Sequence, residues 1–278
     1  KTFIILLKNR PSTLWIQLPP SILLYQVFIY KLFFRDTKII SDCHNGQFRS
    51  PWLNFPFSIK LINFCSEIII VHNDDLLNEV KDKKILNLEK VHVLEDNLPI
   101  PSESIKIEKP EENLVLFPAS FNSDEPISEL VEAAKKVPHI NIYITGEKSA
   151  EKLNRHSIKE SDLPSNIKFT GWLTDDSYKT MLKSADIILG LTLLDTIQLS
   201  VAIEAVGYEK AMVLSNTNTL KKLFNKGSVF VDNDGASIAK GIIKALESKQ
   251  ELEKETKQLK VKKTKEWFSE AEKLKKII

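Results

Sequence analysis

Apolar runs separated by short turns pattern this chain, and the clearest lies between Ala185 and Asn216, ADIILGLTLLDTIQLSVAIEAVGYEKAMVLSN. From Asp186 to Leu193 the Ile and Leu residues show no polar alternation, which predicts a strand covered on both faces. Leu194 to Ser200 predicts a turn, Val201 to Tyr208 a helix, and Ala211 to Ser215 a second buried strand. Parallel sheets bind ligands at the carboxyl ends of their strands, where the next helix offers free N–H groups and the positive end of its dipole. The turn Asp195–Ser200 is therefore the first place to expect a bound anion.

The same alternation runs through the rest of the chain. Strands are expected at Leu14–Leu18, Thr37–Ser41, Glu67–Val71 and Val91–Leu94. Helices follow Pro19-Pro20, end near Ser66, and span Asp74 to Lys83. A second series has strands at Leu114–Pro118, Ile140–Thr145, Ile167–Thr170 and Val229–Val231. Its helices are Pro126–Lys136 capped by Ser123 or Asp124, Glu147–Lys159, Ser177–Ser184 and Ala236–Ser248. This is the pattern of parallel, doubly wound α/β domains. We expect an incomplete first domain at 1–100, a linker at 101–112, a second domain at 113–250, and a charged terminal helix at 251–278 anchored by Trp267 and Phe268.

Composition narrows the function classes. With 278 residues, 42% hydrophobic, 27% charged and a net charge of +2, the chain has room for two cores and no basic excess for nucleic acid. Cys43 and Cys65 stand in apolar contexts without metal-ligand spacing, as small buried hydrophobes of a reducing cytoplasm. The apolar run Leu18 to Phe34 is shorter than the ~20 residues of a span and carries Gln26 and Lys31. It reads as a buried helix, with peripheral contact at the inner membrane face left open for the first domain. The start, Lys1-Thr2-Phe3, lies inside a helical pattern without an initiator Met and reads as a fragment.

Glu204, the turn Glu209-Lys210 and the strand Ala211–Asn216 carry a family likeness. The stretch resembles the GT-B glycosyltransferases of the family 4 type. Their motif is a Glu, seven residues containing Gly-Phe-Gly-Leu-Pro, then a second Glu, a small-residue turn and a strand. Glu204 falls on the second Glu. Thr196, beside Asp195, falls on the first, and Ile197, Gln198 and Leu199 replace the loop glycines. The segments Gln17-Leu18-Pro19-Pro20 and Asp42-Cys43-His44-Asn45 also resemble stretches of the mannosyltransferases that extend lipid-linked chitobiose.

This resemblance implies two Rossmann-like domains facing across a cleft, with the last helix crossing back to the first. It implies transfer of a sugar from a UDP- or GDP-linked donor to a glycan or lipid-linked acceptor, without a cofactor. No metal is expected, on the reading that the chain offers no Asp-x-Asp motif. Glu204 would hold the ribose, Trp172 and Leu173 the base, and Asp195, Thr196, Ile197, Gln198, Leu199 and Ser200 the sugar and phosphates. Ser120 and Gly146 would close the donor site from neighbouring strand ends. His44 would be catalytic near the acceptor, with Asp42 able to orient it. The family has Arg and Lys after the first strand of the second domain, whereas this chain has Ser120 to Pro126 without a cation. Asp124 and Glu125 there would repel a diphosphate unless turned away. Lys221 and Lys222 read as a solvated helix face. The missing first Glu, cations and Gly-rich loop leave open an inactive GT-B-like binding or partner subunit; a sugar-nucleotide epimerase is a third reading.

Overall fold

The computed structural model describes residues 1–101 and 113–277. The expected linker at 101–112 falls, apart from Pro101, outside the described residues. The chain divides into two compact units, one of Lys1–Asp96 with the chain from Glu266 onward, the other of Asn97–Lys265.

In the first unit the order is α1 (Thr2–Asn9), β1 (Thr13–Leu18), α2 (Leu23–Phe33), β2 (Lys38–Cys43), α3 (Ser58–Cys65), β3 (Ile68–Val71), α4 (Asp74–Asp82) and β4 (Val91–Val93). The four strands form one parallel sheet in the order β1-β2-β3-β4. β3 is Ile-Ile-Ile-Val with every residue buried, because both faces of the sheet are covered. Ile39, Ile69 and Val71 meet Leu24, Val27 and Ile62 on one face. On the other, Ile40, Ile68 and Ile70 meet Leu274 and Trp267 of the terminal helix. The Trp267 indole donates to the Glu95 carbonyl at 3.1 Å. Phe268, expected to share the anchoring, is 58% exposed. Asn73 caps α4 by accepting from Leu76 N at 2.8 Å, with Asp74 and Asp75 favourably placed against the dipole. Cys43 and Cys65 are free and buried, and burial pushes both thiols up, Cys65 to about 11. Among the described residues no helix is long and apolar enough to cross a membrane.

The second unit continues with β5 (Leu114–Phe117), α5 (Ile127–Lys136), β6 (Asn141–Thr145), α6 (Ala150–Arg155), β7 (Ile167–Gly171), α7 (Asp175–Ser184), β8 (Ile187–Gly190), α8 (Ser200–Gly207), β9 (Ala211–Ser215), α9 (Asn218–Leu223), β10 (Ser228–Val231) and α10 (Gly235–Glu247). α11 (Lys249–Lys275) starts here. Its six strands are parallel in the order β10-β9-β8-β5-β6-β7. The chain leaves β5 toward β6 and returns to its other side with β8, so the loops after β5 and β8 part. That reversal opens a crevice at the carboxyl ends, where doubly wound sheets bind ligands. Each unit is a Rossmann-like parallel α/β layer, as GT-B folds require.

Two local expectations fail for identifiable reasons. The helix expected over Glu147–Lys159 is only α6, capped by Ser149 accepting from Lys152 N and ended where Ser157 turns left-handed at φ 58°. A separate 3₁₀ turn covers Glu160–Asp162. Neither Ser123 nor Asp124 caps α5, whose N-cap is Pro126 without a side-chain bond; the acids before it are engaged in the loops described next.

Candidate functional site

A cavity of about 650 Å³ opens in the second unit at the ends of β5, β6, β7 and β8. Its walls include Ser120 and Gly146, then Trp172 and Leu173, then Ile197, Gln198, Leu199, Ser200 and Val201, with Tyr178 and Glu204. Nine of the donor-side residues expected from sequence are thus brought together: Ser120, Gly146, Trp172, Leu173, Ile197, Gln198, Leu199, Ser200 and Glu204. Gly146 is needed for its conformation and its space. Its φ is +87°, and a Cβ there would stand 2.4 Å from the Ala119 carbonyl oxygen.

Asp195 and Thr196 do not line the cavity. The Asp195 carboxylate accepts from Thr196 N at 3.1 Å, from Thr219 N at 3.2 Å and from the Asn218 amide at 3.2 Å. It ties the turn to the start of α9 instead of facing a donor. The expected loop therefore narrows to Ile197–Ser200.

The acids after β5 are turned into the loop. Glu125 accepts from Ser120 N at 2.9 and 3.1 Å and from Phe121 N at 2.8 Å, while Asp124 accepts from Thr192 Oγ1 at 3.1 Å. Burial raises the Glu125 carboxyl more than those backbone donors lower it. Ser120 thereby loses its backbone N–H as a ligand donor and keeps its hydroxyl. The cavity wall carries the carboxylates Asp124, Glu125, Asp175 and Glu204 and, among the described residues, neither Lys nor Arg.

Glu204 lies in α8 and accepts from Tyr178 Oη of α7 at 2.5 Å. Burial pushes the Glu204 carboxyl above its usual range, and the Tyr178 bond offsets only part of that. The phenol is pushed up in turn by burial and by the neighbouring carboxylate. Tyr178 was not anticipated; its place four residues into a helix opened by Thr174-Asp175-Asp176 gave no sign that it faced α8. The N-cap of α8, Leu199, offers no side-chain bond, so the first N–H groups of this helix stay open toward the cavity wall at Ser200 and Val201.

A second cluster lies in the first unit. His44, at the end of β2, is bonded to Gln17 Nε2 of β1 at 2.8 Å, and its ring lies tilted by 32° against that of His72 with centroids 4.1 Å apart. From the sequence, Asp42 could orient His44 or merely cap a turn. It instead accepts from His72 Nε2 at 2.8 Å and from the Trp15 indole at 3.3 Å, because the ring that meets it comes from the end of the neighbouring strand β3. His72 Nδ1 lies 3.1 Å from Asp96. Burial disfavours the charged form of His72, but Asp42 and Asp96 outweigh it and push its pKa up to about 9. Burial and then the charge of His72 hold His44 below its ordinary value. Burial opposes ionisation of Asp42, yet the bonds from His72 and Trp15 hold its carboxyl low.

Ring ¹⁵N shifts check this charge pattern. At pH 7.5 His72 is expected doubly protonated and His44 neutral, and His72→Asn moves the His44 titration upward. The native pairing of His72 contributes stability fully below its unfolded pKa of about 6.5, and that contribution is lost as pH rises through about 9. A His72 that titrates below pH 6.5 contradicts the pairing.

Among the described residues, donor atoms of Asp42, His44 and His72 lie within 4.8 Å of one another, close enough to converge on a metal. Both ring nitrogens of His72 face carboxylates, however, which suits an imidazolium better than a metal ligand. The expectation of no Asp-x-Asp motif is incorrect, because Asp232-Asn233-Asp234 has that spacing; in the fold Asp234 caps α10 and Asp232 accepts from Asn216.

No protein of curated function matches the sequence. Solved structures similar in fold include Anabaena HepE in complex with UDP and glucose, with a TM-score of 0.71, 13% identity, and coverage of 94% of this chain and 77% of that one. Sucrose-phosphate synthase from Thermosynechococcus elongatus gives a TM-score of 0.72 and 14% identity over 99% of this chain and 74% of that one. The UDP-forming trehalose-phosphate synthase from Burkholderia vietnamiensis gives 0.65 and 15% identity over 90% and 70%. The family model of glycosyl transferases group 1 matches residues 101–264, more than half of the sequence and the whole wall of the cavity, and the chain belongs to that family.

Proposed function

We propose that this chain transfers a hexosyl group from a nucleoside-diphosphate sugar to a hydroxyl of a glycan or lipid-linked acceptor, in the manner of family 4 enzymes and without a metal. The observation that carries this is the Glu204 carboxylate, backed by Tyr178, in the wall of a cavity at the sheet's reversal point. One carboxylate oxygen accepts from the tyrosine, and the carboxylate has capacity left for ribose hydroxyls. The open N-terminus of α8, with a partial positive charge of roughly half a unit, faces the pyrophosphate. Trp172, 87% exposed at the cavity mouth, and Leu173 supply the surface for the base.

In the reaction the bond between the anomeric carbon and the β-phosphate oxygen breaks as the acceptor oxygen bonds to that carbon. The nucleoside diphosphate leaves with the bonding electrons, and the proton of the acceptor hydroxyl passes to its freed phosphate oxygen. Backbone donors and the helix dipole stabilise the charge on the departing diphosphate. His44, assigned to the acceptor side by its strand-end motif, is the catalytic candidate of the first unit. Exposed Ile4, Ile5, Leu32, Phe33 and Phe64 on α1, α2 and α3 suit peripheral contact with the inner membrane face, where a lipid-linked acceptor would lie.

Titration calorimetry against UDP, GDP, ADP and CMP tests the donor reading. Binding of at least one of the diphosphates is expected, and binding of none sinks it. A binding subunit without transfer is the second reading, favoured by a cavity wall bearing four carboxylates and, among the described residues, no cationic side chain. Hydrolysis and transfer of the sugar from whichever donor binds decides between them.

A further inference from the structure

Asp124 belongs to the cavity wall, yet its Oδ2 is turned to the hydroxyl of Thr192, which donates at 3.1 Å. Thr192 is 0% exposed and is not part of that wall. It follows β8 by two residues, and each of its polar groups is in use. Its N–H donates to Ser215 Oγ at 2.9 Å, its carbonyl accepts from Asn233 Nδ2 at 2.8 Å, and its hydroxyl oxygen accepts from Leu194 N at 3.2 Å. Ser215 Oγ in turn donates to Asn233 Oδ1 at 2.7 Å, which closes a ring of three residues at the ends of β8, β9 and β10. Leu193 N adds a bond to the Asp124 carbonyl at 2.7 Å.

A hydroxyl has one proton to give. The ring fixes the backbone of Thr192, and Leu194 N takes up one side of its oxygen, so that proton is committed to the Asp124 carboxylate. A tie between two loops would be served as well by a neutral acceptor. With a carboxylate here, the tie also decides where a negative charge stands relative to a bound anion. We propose that Thr192 is a positioning residue for the diphosphate of the donor: its hydroxyl keeps the Asp124 carboxylate directed into the protein. A wall that carries, among the described residues, neither Lys nor Arg thereby admits a negatively charged ligand. This rests on the nucleotide-sugar reading above and assigns to it a residue outside the cavity wall. Without the hydroxyl the carboxylate is free to face the phosphates, and like charges a few ångströms apart repel in a site only partly open to water.

The test measures binding of UDP, GDP and ADP by titration calorimetry to the full chain and to Thr192→Val, Thr192→Ser, Asp124→Asn and the double variant Asp124→Asn/Thr192→Val, each below its melting temperature. Thr192→Val keeps the shape and loses the hydroxyl. It is expected to weaken the diphosphate that binds the native chain about tenfold or more, and raising the salt from about 0.05 to about 0.5 M recovers most of that loss relative to the native chain. Thr192→Ser restores the hydroxyl and binds within about threefold of native. Asp124→Asn alone changes the affinity less than about threefold, because the charge it removes already points elsewhere. In that background Thr192→Val costs little, which is the coupling that a double-mutant cycle reads. A threonine that only braces the loops gives another pattern: the melting temperature falls, while the affinity loss is absent, or is equal with Asp and Asn at 124 and indifferent to salt. Either result overturns the assignment of Thr192. So does a gain of about tenfold in Asp124→Asn alone, which would mean that the native carboxylate faces the ligand, and that measurement holds even where Thr192→Val does not fold. A native chain that binds none of the three diphosphates overturns the nucleotide-sugar reading as well.

Discussion

Replacing Glu204 with alanine is expected to abolish nucleotide binding at micromolar ligand while leaving the fold intact. Hydrogen bonds to a charged acceptor are worth about 1.5–3 kcal/mol each, so two ribose hydroxyls lost together correspond to roughly a hundredfold to ten-thousandfold in affinity. The substitution also strands the Tyr178 hydroxyl, now bonded to Glu204 at 2.5 Å. Tyr178→Phe in the same background removes that penalty and separates packing from recognition. Glu204→Gln keeps the shape and one acceptor and should fall between. Because burial holds the Glu204 carboxyl above its ordinary range, the charged acceptor disappears earlier on acidification than an exposed glutamate would. Affinity should therefore drop as pH falls through that raised value. Calorimetry of the three variants against the diphosphate that binds the native chain settles the matter. Unchanged affinity in Glu204→Ala removes the carboxylate from the site.

What the sequence disclosed depends on how far apart the interacting groups lie along the chain. β8, α8 and β9 were legible because uninterrupted aliphatic strands and an Ala-rich helix leave few alternatives, and the reversal of the sheet then places Ile197–Ser200 and Glu204 in one wall. Contacts made across the sheet or between helices left no local trace. Tyr178 reaches Glu204 across 26 residues, His72 reaches Asp42 across 30, and Asp195 turns to Asn218 and Thr219. Glu125 shows the same limit most clearly. As a letter beside a presumed phosphate site it reads as a repulsive charge, whereas in the fold it is the acceptor that closes the loop from Ser120 to Phe121. Strand ends could be placed from pattern; the side chains that they turn inward depend on neighbours that periodicity does not name.

A large loss of stability in the second unit is expected from Asp186→Ala, just before β8 at the end away from the cavity. Asp186 is 4% exposed and joins three segments: its backbone N donates to Leu114 O at 2.8 Å, its Oδ2 accepts from Leu114 N at 2.9 Å, and its Oδ1 pairs with Lys249 at the start of α11. Alanine strands the fully buried Leu114 amide and the ammonium together. Breaking a buried ion pair by deleting one partner costs about 3–5 kcal/mol. Lys249 retains some solvent access, and Glu253 stands 3.9 Å away, so the lower end applies, about 3 kcal/mol. For a unit of this size that is a fall of roughly 6–12 °C in Tm. Asp186→Asn keeps an acceptor for Leu114 and loses only the ion pair, so it should lie between native and alanine. Lys249→Met, which removes the ammonium and keeps an apolar stem, should cost more than Asp186→Asn, because it leaves the buried carboxylate without its cation. All three should bind the diphosphate with native affinity below their melting temperatures, since none touches the wall that holds Glu204. A coupled loss of affinity in Asp186→Ala would mean that the N-terminal end of β8 sets the geometry of its other end, and would make the sheet, rather than α8, the element that positions the donor.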